Sequence, residues 1–265
     1  MYAFDYQRPA SRDAAKTSGA GADTRFLAGG QSLIQAMRLR LSQSARLVDL
    51  GAVADLKTIK ADGNGVTIGA MATHAAVAAS ADVKRIVPAL AELAGGIGDP
   101  MVRNMGTIGG SIANADPAAC YPAGLLALNA TIHTDRRTIA ADAFFTGLYE
   151  TALQPGELIT AVSFPAVQKA AYIKYKQPAS RFALVGVCVA QTPGGVRVAV
   201  TGAKGSVFRA KAIEEALTKS FTADAAKAVK MPTDGINGDL HGSAEYRAAM
   251  ISVMASRAVA AALAR

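Results

Sequence analysis

There is no tryptophan among these 265 residues, and there are only two cysteines and three histidines. Cys120 and Cys188 stand far apart in no CxxC-type cluster, and His74, His133 and His241 share no ligand spacing with them. One disulfide could join the two thiols. A metal site is not expected, and an iron–sulfur cluster held by four thiolates cannot be housed in this chain alone. Long apolar runs are also missing, since none approaches the roughly 18–20 residues that span a bilayer. The stretch Met1–Ala10 carries Asp5 and Arg8 among aromatic residues and has no apolar signal core, so a cytoplasmic protein is the expectation. Nor is charge of one sign concentrated anywhere. The formal charge is +8, yet Arg38, Arg40, Lys57, Arg85 and Arg103 are dispersed, and no zinc-finger or RNA-recognition signature accompanies them. Nucleic-acid binding is therefore not expected. An acidic partner or a phosphate-bearing cofactor accounts for the sign equally well.

What is present describes a globular chain, 51% hydrophobic and 18% charged, long enough for one large domain or two modest ones. The first 50 residues read as a βαβ unit: a strand at 24–28, a helical pattern with Leu33, Ile34, Met37 and Leu41 on one face, and a strand at 46–50. Residues 56–167 form a second α/β stretch. It has a strand at 65–70, N-caps at Thr73 and Ser80, and a helix near Asp82 that Pro88 interrupts or restarts. Gly95 to Pro122 shows little periodicity and reads as a long functional loop, followed by an apolar helix at 124–128 and a strand at 130–134. After residue 167 the pattern changes. Strands at 183–191 and 196–201 flank the turn Thr192-Pro193-Gly194-Gly195, and helices follow at 210–219, 222–229 and 243–264. The expected architecture is α+β, with a domain at 1–167 (subdomains about 1–55 and 56–167) and a C-terminal antiparallel sheet with helices at 168–265.

Two glycine loops carry the candidate chemistry, Ala28-Gly29-Gly30-Gln31-Ser32 and Thr107-Ile108-Gly109-Gly110-Ser111. Each follows or contains a strand-like segment, and the first opens a helix, where exposed N–H groups and the helix dipole favour phosphate oxygens. Two such loops opposed would suit a pyrophosphate. Four Gly-Gly doublets are barely above chance for 25 glycines, so the doublets alone carry little weight. Gly19 to Thr24 ends wrongly for a Rossmann fingerprint and precedes its strand, and Thr201 to Ser206 lacks Walker A spacing. No nucleophile–base pair is readable, and the three histidines read as structural or surface residues. Cradle loops without an acid–base set point to a protein whose cofactor does the chemistry.

At these loops the chain resembles the flavoprotein family of xanthine dehydrogenase and carbon monoxide dehydrogenase. The resemblance rests on Phe26-Leu27-Ala28-Gly29-Gly30-Gln31-Ser32-Leu33 and on the long string from Arg103 to Pro117. It is supported by Leu153-Gln154-Pro155-Gly156-Glu157-Leu158-Ile159-Thr160 and by Asp239 to Arg247. It implies a two-part FAD-binding domain of the vanillyl-alcohol-oxidase type and a small C-terminal domain. Residues 28–33 and 107–111 would hold the pyrophosphate, Ile97 would lie against adenine, and Asn114 and Asp116 near the sugar and ribityl region. Ile159 and Lys176 would lie near the isoalloxazine, and Phe182 would cover one flavin face. Two positions depart from the family pattern: Ser111 stands where Asn is common, and Cys120 where an Asp often binds the cofactor. The resemblance also implies partners, a small subunit with two [2Fe–2S] clusters and a large molybdenum–pterin subunit, in a dimer of heterotrimers. This chain would then be their electron-transfer flavoprotein. A stand-alone flavin oxidoreductase of the same fold and a non-enzymatic anion-binding protein are the alternatives, and the substrate and the electron acceptor are left open.

Overall fold

The computed structural model describes residues 1–265. A small parallel unit comes first: β1 (Asp5–Gln7), α1 (Arg12–Gly19), β2 (Thr24–Leu27), α2 (Leu33–Arg38) and β3 (Arg46–Asp49), with strand order β1-β3-β2. Both pairings are parallel, as a βαβ connection requires. The helix is shorter than its hydrophobic pattern suggests. Arg40 adopts φ +59, which turns the chain away after Arg38 and leaves Leu41 80% exposed instead of on the buried face.

The middle unit runs through β4 (Ile59–Ala61), β5 (Gly65–Gly69), α3 (His74–Ala79), α4 (Ala81–Ile86) and α5 (Pro88–Gly95), then α6 (Pro100–Met105), α7 (Ile108–Asn114) and α8 (Cys120–Ala127). It closes with β6 (Thr131–Thr134), β7 (Thr138–Ala140), the hairpin β8 (Phe145–Gly147) and β9 (Glu150–Thr151), and β10 (Ile159–Pro165). The antiparallel sheet is ordered β4-β5-β10-β6-β7. Thr73 and Ser80 cap α3 and α4 through their hydroxyls, and Pro88 opens α5 at a position where its missing N–H costs nothing. The stretch expected to be one long loop is two short helices and the start of a third. Asp99 caps α6 with Pro100 behind it, and Thr107 caps α7. Helices of six and seven residues complete too few turns to show a period, which is why the sequence pattern is blank there.

The last third holds β11 (Ala170–Lys176), β12 (Ala183–Thr192), β13 (Gly195–Thr201), β14 (Phe208–Arg209), α9 (Lys211–Lys219), α10 (Ala223–Ala228) and α11 (Ala244–Leu263). The sheet is antiparallel in the order β11-β12-β13-β14. Both of its faces are covered. Cys188, Ala190 and Ala199 join the core of the middle unit, whereas Val187, Val189 and Val198 join a second core beneath α11. The two cysteines are buried free thiols and form no disulfide.

Candidate cofactor site

The first glycine loop leaves β2 at Leu27, turns at Gly30 with φ +71, and enters α2. The first amide of this turn to find a protein acceptor is that of Ile34, which donates to Gly30 O at 3.2 Å. The N–H groups of Gly29, Gly30, Gln31, Ser32 and Leu33 donate to nothing in the protein. Ser32 occupies the N-cap of α2, yet its hydroxyl makes no capping bond, in contrast to Ser11, Ser80 and Ser243 at other helix starts. A run of free amides beside an uncommitted hydroxyl is a donor surface for an anion.

The second loop is built differently. Thr107 is extended and bridges Thr73 antiparallel, and as the N-cap of α7 it accepts from Gly110 N–H at 3.1 Å, so the segment passes from a single β-bridge straight into a helix. Ile108 donates to Ala72 O at 3.1 Å and Gly109 to Ala70 O at 2.9 Å, which ties the loop to the end of β5. Its amides are largely used inside the protein. The second loop therefore supplies a wall, and the donors are concentrated in the first.

The two loops touch. A Cβ on Gly29 would overlap the carbonyl of Met105, and one on Gly110 would stand 3.2 Å from the Cβ of Ala28. Glycine is required at 29 because backbone lies directly against backbone. Between the loops is a cavity of about 530 Å³ bordered by Ala28, Gly29, Gly30 and Thr107. That volume suits a small-molecule ligand. Arg8, Asp49, Lys57 and Asn104 also border it, and the sequence reading missed them as site residues. The signal that could have found the first two is topological. Arg8 follows β1, Ala28 follows β2 and Asp49 ends β3, so three parallel strands open their carboxyl ends onto one crevice.

Electrostatically the site has no acid–base pair. His74 lies behind the second loop, 5% exposed, and burial followed by the charge of Arg103 lowers its pKa to about 4, so the ring is neutral near pH 7. Its Nδ1 has no partner, and its ring packs at a tilt on Tyr121, 5.3 Å between centroids.

The remaining expected residues gather at the far end of α7. Asp116 accepts from Ala118 N–H at 2.8 Å and from the Tyr149 hydroxyl at 3.4 Å; burial and then the Asp116 charge raise the pKa of that phenol. Ala183 N–H donates to Ala118 O, and Lys174 Nζ reaches both Cys120 Sγ at 3.3 Å and Arg181 O at 2.8 Å. Arg181 in turn donates to Gly98 O at 3.4 Å, next to half-buried Ile97. The turn between β11 and β12 is thus fastened to the 97–98 and 116–120 segments, with Lys176 and Phe182 exposed at its base. Ser111 and Asn114 lie half-buried on α7. Ile159 is not at the surface of this group: its side chain is 5% exposed within the core of the middle unit. Tyr149, Lys174 and Arg181 are the residues of this end that the sequence reading did not single out.

A parallel βαβ unit and an α/β unit that border a donor-lined cavity with charged side chains but no nucleophile–base pair fit a protein that binds an anionic cofactor. Comparison with known proteins makes this specific. Residues 2–167 match the family described as the FAD binding domain in molybdopterin dehydrogenase. The chain is 36% identical to the carbon monoxide dehydrogenase medium chain of Hydrogenophaga pseudoflava, covering 99% of this chain and 98% of that one. It is 35% identical to the nicotine 6-hydroxylase medium subunit of Paenarthrobacter nicotinovorans, over 99% and 98%. Among solved structures, carbon monoxide dehydrogenase from Hydrogenophaga pseudoflava superimposes with a TM-score of 0.89 at 36% identity, covering 99% and 98% of the two chains. Quinoline 2-oxidoreductase from Pseudomonas putida 86 gives a TM-score of 0.88 at 29% identity, over 98% and 97%. The chain belongs to the FAD-binding family of the molybdopterin dehydrogenases. It is an FAD-dependent oxidoreductase subunit with the α+β fold of that family.

Proposed function

We propose that this chain is the electron-transfer flavoprotein of a molybdenum hydroxylase, taking electrons from [2Fe–2S] clusters of a small partner subunit and passing them to an external acceptor. The observation that carries the reading is the pairing of a donor-lined cavity with the absence of any acid–base set. The free amides of residues 29–33 and the Ser32 hydroxyl would hold an anionic group, with residues 107–111 as the opposing wall. Residues 1–167 would carry the cofactor. Residues 168–265 would contribute Lys176 and Phe182 from the β11–β12 turn, with Ile97, Asn114 and Asp116 facing them. Ile159 would act from the core, by backing the wall. Bound flavin would supply the exchange between one-electron and two-electron carriers; the protein binds, orients and shields it.

The relatives argue that substrate is chosen elsewhere. Proteins named for carbon monoxide, nicotine and glyceraldehyde share 35–36% identity with this chain over nearly its whole length. One fold and length thus recur beside such different compounds, which favours a shared task over recognition of any one of them. A large molybdenum–pterin subunit would recognise the substrate, in a dimer of heterotrimers. No helix is long and apolar enough to cross a membrane. The test is an absorbance spectrum of the purified chain supplied with FAD, then reduced with dithionite. Flavin bands that bleach without cluster absorbance are expected. Failure to take up FAD would overturn the reading.

A further inference from the structure

The charge of the cavity is set by three side chains outside both glycine loops. Asp49 is fully engaged: Oδ1 accepts from Gly51 N–H at 2.7 Å, and Oδ2 accepts from the Tyr6 hydroxyl and lies 3.3 Å from Arg8 Nε. Arg8 makes that one contact, so both of its terminal nitrogens lack a protein acceptor. Lys57 donates once, to Gly51 O at 2.6 Å, which leaves two of its three N–H groups uncommitted. Two cations and one anion border the space, beside a loop whose amides are also unspent. The cavity therefore carries surplus positive charge and surplus donors on the same side.

We propose that Arg8 and Lys57 are the ionic ligands of the FAD pyrophosphate, with Asp49 and Tyr6 as the positioning residues that aim Arg8. This rests on the assignment of the pyrophosphate to the cavity between the glycine loops. A pyrophosphate diester carries two negative charges at neutral pH, and neutral amides alone leave both uncompensated. Arg8 has the planar fork that matches phosphate oxygens, whereas Lys57 acts as a point charge. The carboxylate of Asp49 holds the fork by its Nε edge and leaves the terminal edge free for the ligand.

The test uses the full chain stripped of flavin, with FAD, ADP and adenosine as calorimetric probes. Arg8→Gln and Lys57→Gln should each weaken FAD and ADP binding by about tenfold or more, as for loss of a charged hydrogen bond. Both should flatten the dependence of ADP affinity on salt, and adenosine binding should not change. Arg8→Lys should recover part of the loss. Unchanged FAD and ADP affinity in both Gln variants, with the parent chain still binding FAD, would overturn the inference alone. Equal weakening of adenosine would overturn it too, by placing these side chains on the nucleoside. A parent chain that binds no FAD would remove the reading beneath it. Thermal unfolding monitors folding, and because Lys57 contacts only a surface carbonyl, its variant keeps the test open if Arg8→Gln is unstable.

Discussion

His74 takes a charge far less readily in the folded chain than a free imidazole does, because its ring is buried between Gly106 and Tyr121 and faces the field of Arg103. Its folded pKa is about 4, against an unfolded value near 6.5. Between those two values the unfolded chain binds a proton that the folded chain refuses. Stability is thus fully present above about pH 6.5 and is lost as pH falls toward 4. The expected loss between pH 7 and pH 5 is about 2 kcal/mol, measured by urea unfolding at the two pH values. In His74→Gln that slope should flatten; an unchanged slope would place the titration elsewhere. Glu157 adds a second acid limb. Its carboxylate accepts from Arg137, from Gln154 N–H and from Thr134, and the Arg137 bond leads in holding its pKa at about 2, so its contribution is fully present above the unfolded value of 4.5 and is lost as pH falls from there toward 2. At this scale the loop residues 28–33 were legible from their own neighbours in sequence. Arg8 and Asp49 were not, because only the side-by-side pairing of β1 and β3 brings them together, and Lys57 joins them through the short helical turn Ala54–Lys57 after β3.

Elements were readable where a cap or a turn announced them. Thr73, Ser80 and Pro88 marked helix starts, and Pro193-Gly194 marked the hairpin between β12 and β13. What failed was periodicity in short pieces, as in α6 and α7, and the strands β10 and β11, where alternation is confined to three or four residues, as in Val162-Ser163-Phe164 and Ile173-Lys174-Tyr175-Lys176. The fastening of α11 was also hidden. Arg247 on its first turn is 4% exposed and donates through Nη1 to Leu184 O at 2.8 Å and Gly202 O at 2.9 Å, while Nη2 meets Asp239 at 2.7 Å. One guanidinium thereby satisfies carbonyls at the ends of two strands and anchors the helix that covers them. Arg247→Met should leave both carbonyls unpaired and destabilise the chain by about 3 kcal/mol, read from chemical denaturation. Hydrogen exchange should rise first in α11 and at the start of β12.

At the scale of the molecule, the cores do not divide where the sequence pattern changes. Ala170, Cys188, Ala190, Ala199 and Val207 belong to the same cluster of 36 buried residues as Leu90, Leu125 and Val162. A fragment ending at residue 167 would expose that apolar surface on α5 and α8. It should therefore unfold at lower denaturant than the full chain or aggregate, and the full chain should unfold in one transition; both are read by circular dichroism in urea. A fragment with the stability of the full chain would show that the shared cluster contributes little.

The double coverage of β12 has a mechanical side. Residues 183–190 are buried, with Cys188 and Ala190 turned toward one core and Val185, Val187 and Val189 toward the other. Sliding that strand by a single residue would swap the contents of two compartments at once, each packed for side chains of a different size. The strand is in effect bolted through. Lys176 and Phe182 sit at the bend where it meets β11, so whatever they contact is mounted on a strand that is packed from both sides. On the proposed reading, a prosthetic group seated there would gain and lose charge against a surround that does not need to move.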